Sequence, residues 1–211
     1  VFDASALEIV PADIDPPSLA LGVLGRSGLT AYVGVELSGL KAGDTFMVSA
    51  ATGPVGSVAG QLAKQRGARV IGTAGGPEKC RHATQELGFD ICIDHHGDKL
   101  TEAVAEAAPQ GINVLFENVG ATSLDAALPN MALNSRIMLC GLAAHYRDNT
   151  PVVLDNFYQM LQHQVTMQAF VTARYPEMFS QGVETLKSGV ASGALKHSEH
   201  ITDGLENAAA A

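Results

Sequence analysis

One segment restricts the fold of this chain more than any other. The run Thr45-Phe-Met-Val-Ser-Ala-Ala-Thr-Gly-Pro-Val-Gly-Ser57 leads straight into Val58-Ala-Gly-Gln-Leu-Ala-Lys-Gln-Arg66. An apolar stretch of strand character ends in small residues and spaced glycines, and a helix opens with no spacer. Such a turn presents backbone N–H groups at a helix N-terminus with no side chains in the way, which is how a pyrophosphate is held. The implied ligand is a dinucleotide, and the implied chemistry is redox.

The usual fingerprint G-x-G-x-x-G is filled here by Ala51, Gly53 and Gly56. Gly53 leaves room for the pyrophosphate to approach the backbone, and Gly56 lets the helix pack close to the first strand. Val55, Val58, Ala59, Leu62 and Ala63 fall on one face at helical spacing. A tight turn between any strand and helix also favours small residues, so context has to support the reading. It does: a second strand at Arg69–Thr73 closes a βαβ unit. That strand runs into Thr73-Ala74-Gly75-Gly76 without the acid an NAD site uses on the ribose. Lys79 follows in the first turn of the next helix, where the helix dipole also favours an anion. NADP(H) is therefore expected over NAD(H).

Strands are expected at 45–50, 69–73, 91–94, 112–117, 135–140 and 165–171, with helices at 55–66, 77–87, 98–107, 122–132, 155–163 and 175–188. A further part-helical stretch, Leu19–Leu37, reads as interrupted at Gly25 and Gly28. Strand and helix alternating over short links predict a doubly wound α/β domain, a Rossmann sheet in the order 3-2-1-4-5-6. Residues 1–17 are acidic, contain Asp15-Pro-Pro17, and read as a connecting segment; 18–211 read as the dinucleotide domain. Val1-Phe-Asp-Ala lacks an initiating Met and a basic leader, and Ala208–Ala211 stops at what reads as a helix start, so the chain is expected to be cut at both ends.

Composition excludes several classes. The net charge of −9 comes with no basic cluster, which argues against nucleic acid. No apolar run long enough for a membrane span escapes interruption by Gly, Pro or Gln. Three separate cysteines, at 80, 92 and 140, suit a reducing cytoplasm and not a disulfide scaffold or a four-thiolate zinc site. His95 and His96 would point to opposite sides of an extended chain, so no shared metal is expected. There is no Gly-x-Ser-x-Gly elbow.

Other polar residues fall near strand ends. Asn118 follows the fourth strand and precedes Gly120; it can hold a ribose or carboxamide, or serve simply as a turn residue. Cys140-Gly141-Leu142 closes the fifth strand, and Tyr146 lies just beyond, either as a donor or as an exposed loop residue.

The motifs Gly28-Leu-Thr-Ala-Tyr32, Ala50-Ala-Thr-Gly-Pro-Val-Gly56, Glu78-Lys-Cys80, Leu87-Gly-Phe-Asp90, Glu117-Asn-Val-Gly120 and Cys140-Gly141 occur in one order through nearly the whole chain. In them the chain resembles the medium-chain dehydrogenase/reductase superfamily. The resemblance is to its zinc-free branch of NADPH-dependent double-bond reductases, which holds the leukotriene B4 dehydrogenase/prostaglandin reductases and plant alkenal reductases. Glu78–Thr84, Ile93–His96 and Ile201–Asn207 resemble its curcumin-reductase-like group most.

The resemblance implies roles. Gly53, Pro54, Val55 and Gly56 would form the pyrophosphate turn, and Lys79 and His95 would meet the 2′-phosphate. The wider family often has Tyr where this chain has His95. Asn118 would touch the cofactor. Cys140, Gly141, Leu142 and Tyr146 would run beside the nicotinamide, with Phe170, Val171 and Thr172 continuing that wall. Tyr146 is the catalytic candidate, as hydrogen-bond or proton donor to an enone or enal substrate. A GroES-like substrate domain is implied ahead of residue 17, as is a homodimer paired through a sheet edge. A zinc-free quinone reductase, a non-catalytic NADPH-binding module and a zinc alcohol dehydrogenase stay open as alternatives.

Overall fold

Apolar runs without polar alternation must be buried on both faces, and the sheet forms where they lie. β1 (Thr45–Val48) is buried at every position. β2 (Arg69–Ala74) and β4 (Ile112–Glu117) are buried at all but one. β3 (Ile91–Asp94), β5 (Met131–Leu139) and β6 (Thr166–Ala169) complete the set. The computed structural model describes residues 9–147, 150–207 and 209. Its six strands are all parallel, in the order β3-β2-β1-β4-β5-β6, as the sequence predicts.

The helices are α1 (Arg26–Leu37), α2 (Gly56–Gln65), α3 (Pro77–Gln85), α4 (Leu100–Ala107), α5 (Ala121–Ala127), α6 (Gln159–Gln162) and α7 (Phe179–Ala191). Alternation along the strands splits the core into two layers. Phe46 and Val48 face Val33, Val58, Leu62 and Leu186, from α1, α2 and α7. Met47 faces the other way, with Ile71 and Leu115, toward Leu100, Val104 and Leu124 on α4 and α5. The strand order reverses between β1 and β4, so their carboxyl ends border the crevice where such folds bind ligands.

Close approach of α2 to the sheet depends on two glycines. A Cβ on Gly60 would lie 2.0 Å from the Phe89 ring, and one on Gly72 would lie 2.6 Å from Ala51 Cβ. Phe89, only 3% exposed, occupies the space both leave free. Gly60→Ala is expected to lower stability by about 1–3 kcal/mol, the range for overpacking a core. A urea unfolding midpoint equal to that of the wild type would refute this reading of the contact.

Several boundaries differ from the sequence reading. α1 runs through Gly28 without a break, with Gly25 as its N-cap. A Cβ at Gly28 would sit 1.7 Å from the Val23 carbonyl oxygen, so this glycine serves close packing and not interruption. The helix expected over 122–132 stops at Ala127, because Pro129 converts the next turn to a 3-10 form. β5 then begins at Met131, earlier than the expected 135, and is irregular where Asn134 takes φ 58°. The helix expected over 155–163 shrinks to the single turn of α6.

Of the expected connection over 1–17, only residues from Ile9 onward are described, and Ile14 already belongs to the core. The expected helix start at Ala208–Ala211 lies, apart from Ala209, outside the described residues. No helix among the described residues is long and apolar enough to cross a membrane. All three cysteines are free, and burial, with the neighbouring Cys80 thiol and Asp94 charge, pushes the Cys92 thiol up.

Candidate dinucleotide site at the switch point

The turn between β1 and α2 is built from close backbone contact. A Cβ on Gly56 would come within 2.2 Å of the Ala50 carbonyl oxygen and 3.2 Å of that of Ser49. Gly53 is less confined, with Ala50 O at 3.2 Å from the same kind of Cβ. Ala50 itself takes φ 52°, a left-handed conformation that costs a non-glycine residue about 1–2 kcal/mol. The Ala51 N–H donates to Thr73 O (2.9 Å), which ties the turn to the end of β2. Pro54 is exposed and has no N–H, and Val55 is half-buried. The Val55 and Gly56 N–H groups find no acceptor among the described residues, as expected at the start of a helix. This bare cradle fits a pyrophosphate.

A buried carboxylate, which the sequence reading did not single out, organises the crevice. Glu117, the last residue of β4, is 0% exposed. Its Oε1 accepts the Val119 N–H (2.6 Å), the Gly120 N–H (2.8 Å) and the Ser49 hydroxyl (2.9 Å). The Ser123 hydroxyl lies 2.8 Å from Oε1 and 2.9 Å from Oε2. Burial pushes the Glu117 carboxyl up, while these donors pull it down. The main-chain oxygen of Glu117 accepts the Cys140 (2.9 Å) and Gly141 (3.1 Å) N–H groups. Glu117 thus joins the tip of β1, the start of α5 and the loop after β5.

Asn118 is half-buried and turned toward this network. Its side-chain amide donates to Ser49 O (2.8 Å), and its N–H donates to Ser49 Oγ (2.8 Å). Its amide N–H thus serves the scaffold.

The loop after β5 carries the remaining candidates. Burial, with the nearby Glu117 charge, pushes the Cys140 thiol up to about 12, so it is no nucleophile at neutral pH. Tyr146 is 71% exposed, yet its hydroxyl is fixed: it accepts the Leu142 N–H at 2.9 Å. A Cβ on Gly141 would be 3.2 Å from that hydroxyl, so the phenol rests over bare backbone. Because the oxygen is the acceptor there, its proton stays free to be donated outward.

His145 anchors the same loop, and the sequence reading missed it. Its Nε2 accepts the Ala121 N–H (3.1 Å) at the start of α5, and its Nδ1 faces Thr150 O and Oγ1 (3.1 Å each). The ring needs Gly120 beneath it, where a Cβ would be 2.4 Å away.

Phe170, Val171 and Thr172 divide. Val171 is exposed, and Thr172 Oγ1 pairs with Thr30 Oγ1 on α1 at 2.7 Å. The Phe170 side chain is in the core, edge-on to Phe116, so it offers the cleft only backbone.

The tip of β2 gathers a lysine and two histidines. Lys79, in the first turn of α3, is exposed and has no ion-pair partner among the described residues. The expectation that His95 and His96 diverge is wrong: the chain turns after β3, and their rings meet edge-on with centroids 4.5 Å apart. Both lie over Gly75, whose Cβ would be 3.0 Å from His96 Cε1 and 3.2 Å from His95 Nε2. One acid does reach this tip, brought from β3. Asp94 Oδ1 accepts the Gly76 (2.9 Å) and His96 (3.1 Å) N–H groups, and these hold its carboxyl below the usual range. That oxygen is engaged with the backbone and also faces His96 Nδ1 at 3.4 Å. Beside His95 runs a cleft of about 370 Å³ between α4 and α5, lined by Leu100, Thr101, Ala121 and Val153 among others. No group of three or more His, Cys, Asp or Glu among the described residues could hold a metal ion.

The zinc-binding dehydrogenase family description matches residues 54–188, from the glycine turn through most of α7. The chain belongs to this family. It is 43% identical over 202 residues to the NADPH-dependent curcumin reductase of Escherichia coli (strain K12), covering 91% of this chain and 58% of that protein. It is 38% identical over 203 residues to prostaglandin reductase 1 of Bos taurus, covering 94% and 61%. The solved structure of CurA from Vibrio vulnificus in complex with NADPH superposes with a TM-score of 0.86 at 41% identity, covering 93% of this chain and 60% of that one. Within the family the chain falls in the zinc-independent branch of the curcumin and prostaglandin reductases. It spans about three fifths of the length of these relatives.

Proposed function

We propose that this chain is the NADP(H)-binding part of a reductase of α,β-unsaturated carbonyl double bonds. The observation that carries the reading is the bare cradle at Gly56, with Lys79, His95 and His96 around a β2 tip where the acid brought from β3, Asp94, is engaged by backbone N–H groups. The named activities of the E. coli and bovine relatives support the same substrate class.

When bound, NADPH would supply a hydride to the β-carbon of an enone or enal. The residues described would do the rest. The Val55 and Gly56 N–H groups would bind the pyrophosphate, with Gly53 and Pro54 leaving it room. Lys79 would pair with the 2′-phosphate, and His95 would hydrogen-bond it. Asn118 and the segment from Cys140 to Leu142 would border the nicotinamide, with Val171, Thr172 and the Phe170 backbone beyond. Negative charge would build on the substrate carbonyl oxygen, and the Tyr146 hydroxyl would donate to it or pass a proton onward.

We also propose residues 18–211 as the cofactor domain and 1–17 as its connection to a substrate domain. A cytoplasmic setting is consistent with three free thiols among the described residues. A homodimer is proposed through β6, one of the two outer strands of the sheet, since an open edge invites pairing.

The test is a fluorescence titration with NADPH and NADH at fixed salt. NADPH is expected to bind more tightly, and Lys79→Ala to weaken NADPH by on the order of tenfold, the scale of one charge-assisted phosphate contact, with NADH unaffected. Equal affinity for the two nucleotides in the wild type would sink the NADP reading. An unaltered NADPH affinity in the variant would remove Lys79 from the phosphate site.

A further inference from the structure

The side chain with the most hydrogen bonds among the described residues is one the proposed reaction does not use. Glu117 is fully buried at the end of β4, with no Lys, Arg or His among its hydrogen-bond partners. Two backbone N–H groups and the Ser49 hydroxyl donate to Oε1, and the Ser123 hydroxyl lies within reach of both oxygens. An ionised carboxylate is an acceptor only, with about four lone-pair sites over its two oxygens, and the four groups that meet Glu117 all have a proton to donate. The arrangement is that of a site built to solvate an anion without neutralising it.

The position of that charge matters. The Glu117 main chain holds the Cys140 and Gly141 N–H groups, so the residue that carries this carboxylate anchors the loop proposed to border the nicotinamide. With burial, the Glu117 charge pushes the Cys140 thiol of the same loop up. A buried charge in a dry crevice acts over a longer range than one in water.

We propose that Glu117 is a positioning residue that acts as a fixed buried anion at the anchor of the nicotinamide loop and favours the oxidised, positively charged form of a bound nicotinamide over the reduced, neutral form. Its field would make hydride donation from the bound cofactor more favourable without touching cofactor or substrate. This rests on the NADP(H) reading above.

Glu117→Gln removes the charge and preserves the shape. The Gln Oε1 can keep the Val119, Gly120 and Ser49 donors. Its amide N–H₂ can face Ser123 Oγ, whose proton has a second acceptor in Gly120 O at 3.3 Å. The experiment measures dissociation constants of NADP⁺ and NADPH for the complete protein and for Glu117→Gln. NADP⁺ is expected to weaken relative to NADPH by on the order of tenfold, the scale for one pair of unit charges in a protein interior. A role in scaffolding alone would weaken both ligands equally, and that result, or no change in either, overturns the proposal. A wild type that binds neither nucleotide overturns the NADP(H) reading itself. If Glu117→Gln does not fold, Ser123→Ala removes one donor and drives the carboxyl toward its neutral form. It is expected to shift the ratio the same way by a smaller factor, and an unchanged ratio there also overturns the proposal.

Discussion

Gly56→Ala is expected to destabilise the protein by about 3 kcal/mol, the upper range for inserting a methyl group into a packed site, and to abolish measurable NADPH binding at concentrations that saturate the wild type. The added Cβ would meet only backbone: Ala50 O at 2.2 Å, Ala50 C at 2.9 Å and Ser49 O at 3.2 Å. No rotamer can relieve contacts of that kind. Either α2 moves away from β1, opening the core around Val58 and Leu62, or Ala50 moves from its left-handed conformation and the turn changes shape. Both disturb the Val55 and Gly56 N–H groups. Gly53→Ala makes the informative contrast. Its Cβ would meet Ala50 O at 3.2 Å, and Gly53 has no positive φ, so the fold should tolerate it. Loss of NADPH affinity with a near-normal unfolding midpoint would then place Gly53 against the ligand. Wild-type unfolding and binding in Gly56→Ala would show that the cradle is not the ligand site.

The centre of the sheet was legible because β1, β2 and β4 are buried at nearly every position, and the rest because short links between strand and helix leave few topologies. Gly56 was legible because a close helix–strand approach has one solution, the absence of a side chain. What could not be read were the pairings that depend on distant partners. Ser49 and Glu117 are 68 positions apart, and nothing local to either announces a hydrogen bond between them. Asp94 reaches Gly76 from the neighbouring strand, so a rule about the tip of β2 alone missed the acid that stands there. His95 and His96 were misjudged because period-two alternation applies to extended chain, and the chain turns immediately after β3. His145 had no signal beyond its distance from Gly120, which means something only once β5 brings the loop back over α5. Phe170 was read as cleft wall from the resemblance, but burial between Phe116 and Gly34 decides where an aromatic ring goes.

Tyr146→Phe is expected to lower turnover of an enone substrate by on the order of a hundredfold, the low end of what a positioned acid contributes, while leaving NADPH affinity unchanged. The argument rests on direction. The Tyr146 oxygen accepts the Leu142 N–H at 2.9 Å, so the hydroxyl is oriented by the backbone and its own proton is left for another acceptor. A donor held this way needs no reorganisation when charge develops on a carbonyl oxygen. The phenol lies over Gly141, the residue whose N–H is held by Glu117 O, so its height above the crevice is set by the same network that fixes the end of β4. Phenylalanine keeps the ring and loses the acceptor, and the Leu142 N–H can turn to water because the segment is solvent-exposed at Tyr146. A scaffolding role would therefore appear as parallel loss of NADPH affinity and turnover, and a donor role as loss of turnover alone. His145→Asn separates the two further. It removes the ring that holds the loop to Ala121 while leaving the phenol in place, so it should raise KM and NADPH dissociation before it lowers the maximal rate. Unaltered turnover in Tyr146→Phe would exclude this hydroxyl as the donor and leave water or a cofactor hydroxyl to carry the proton.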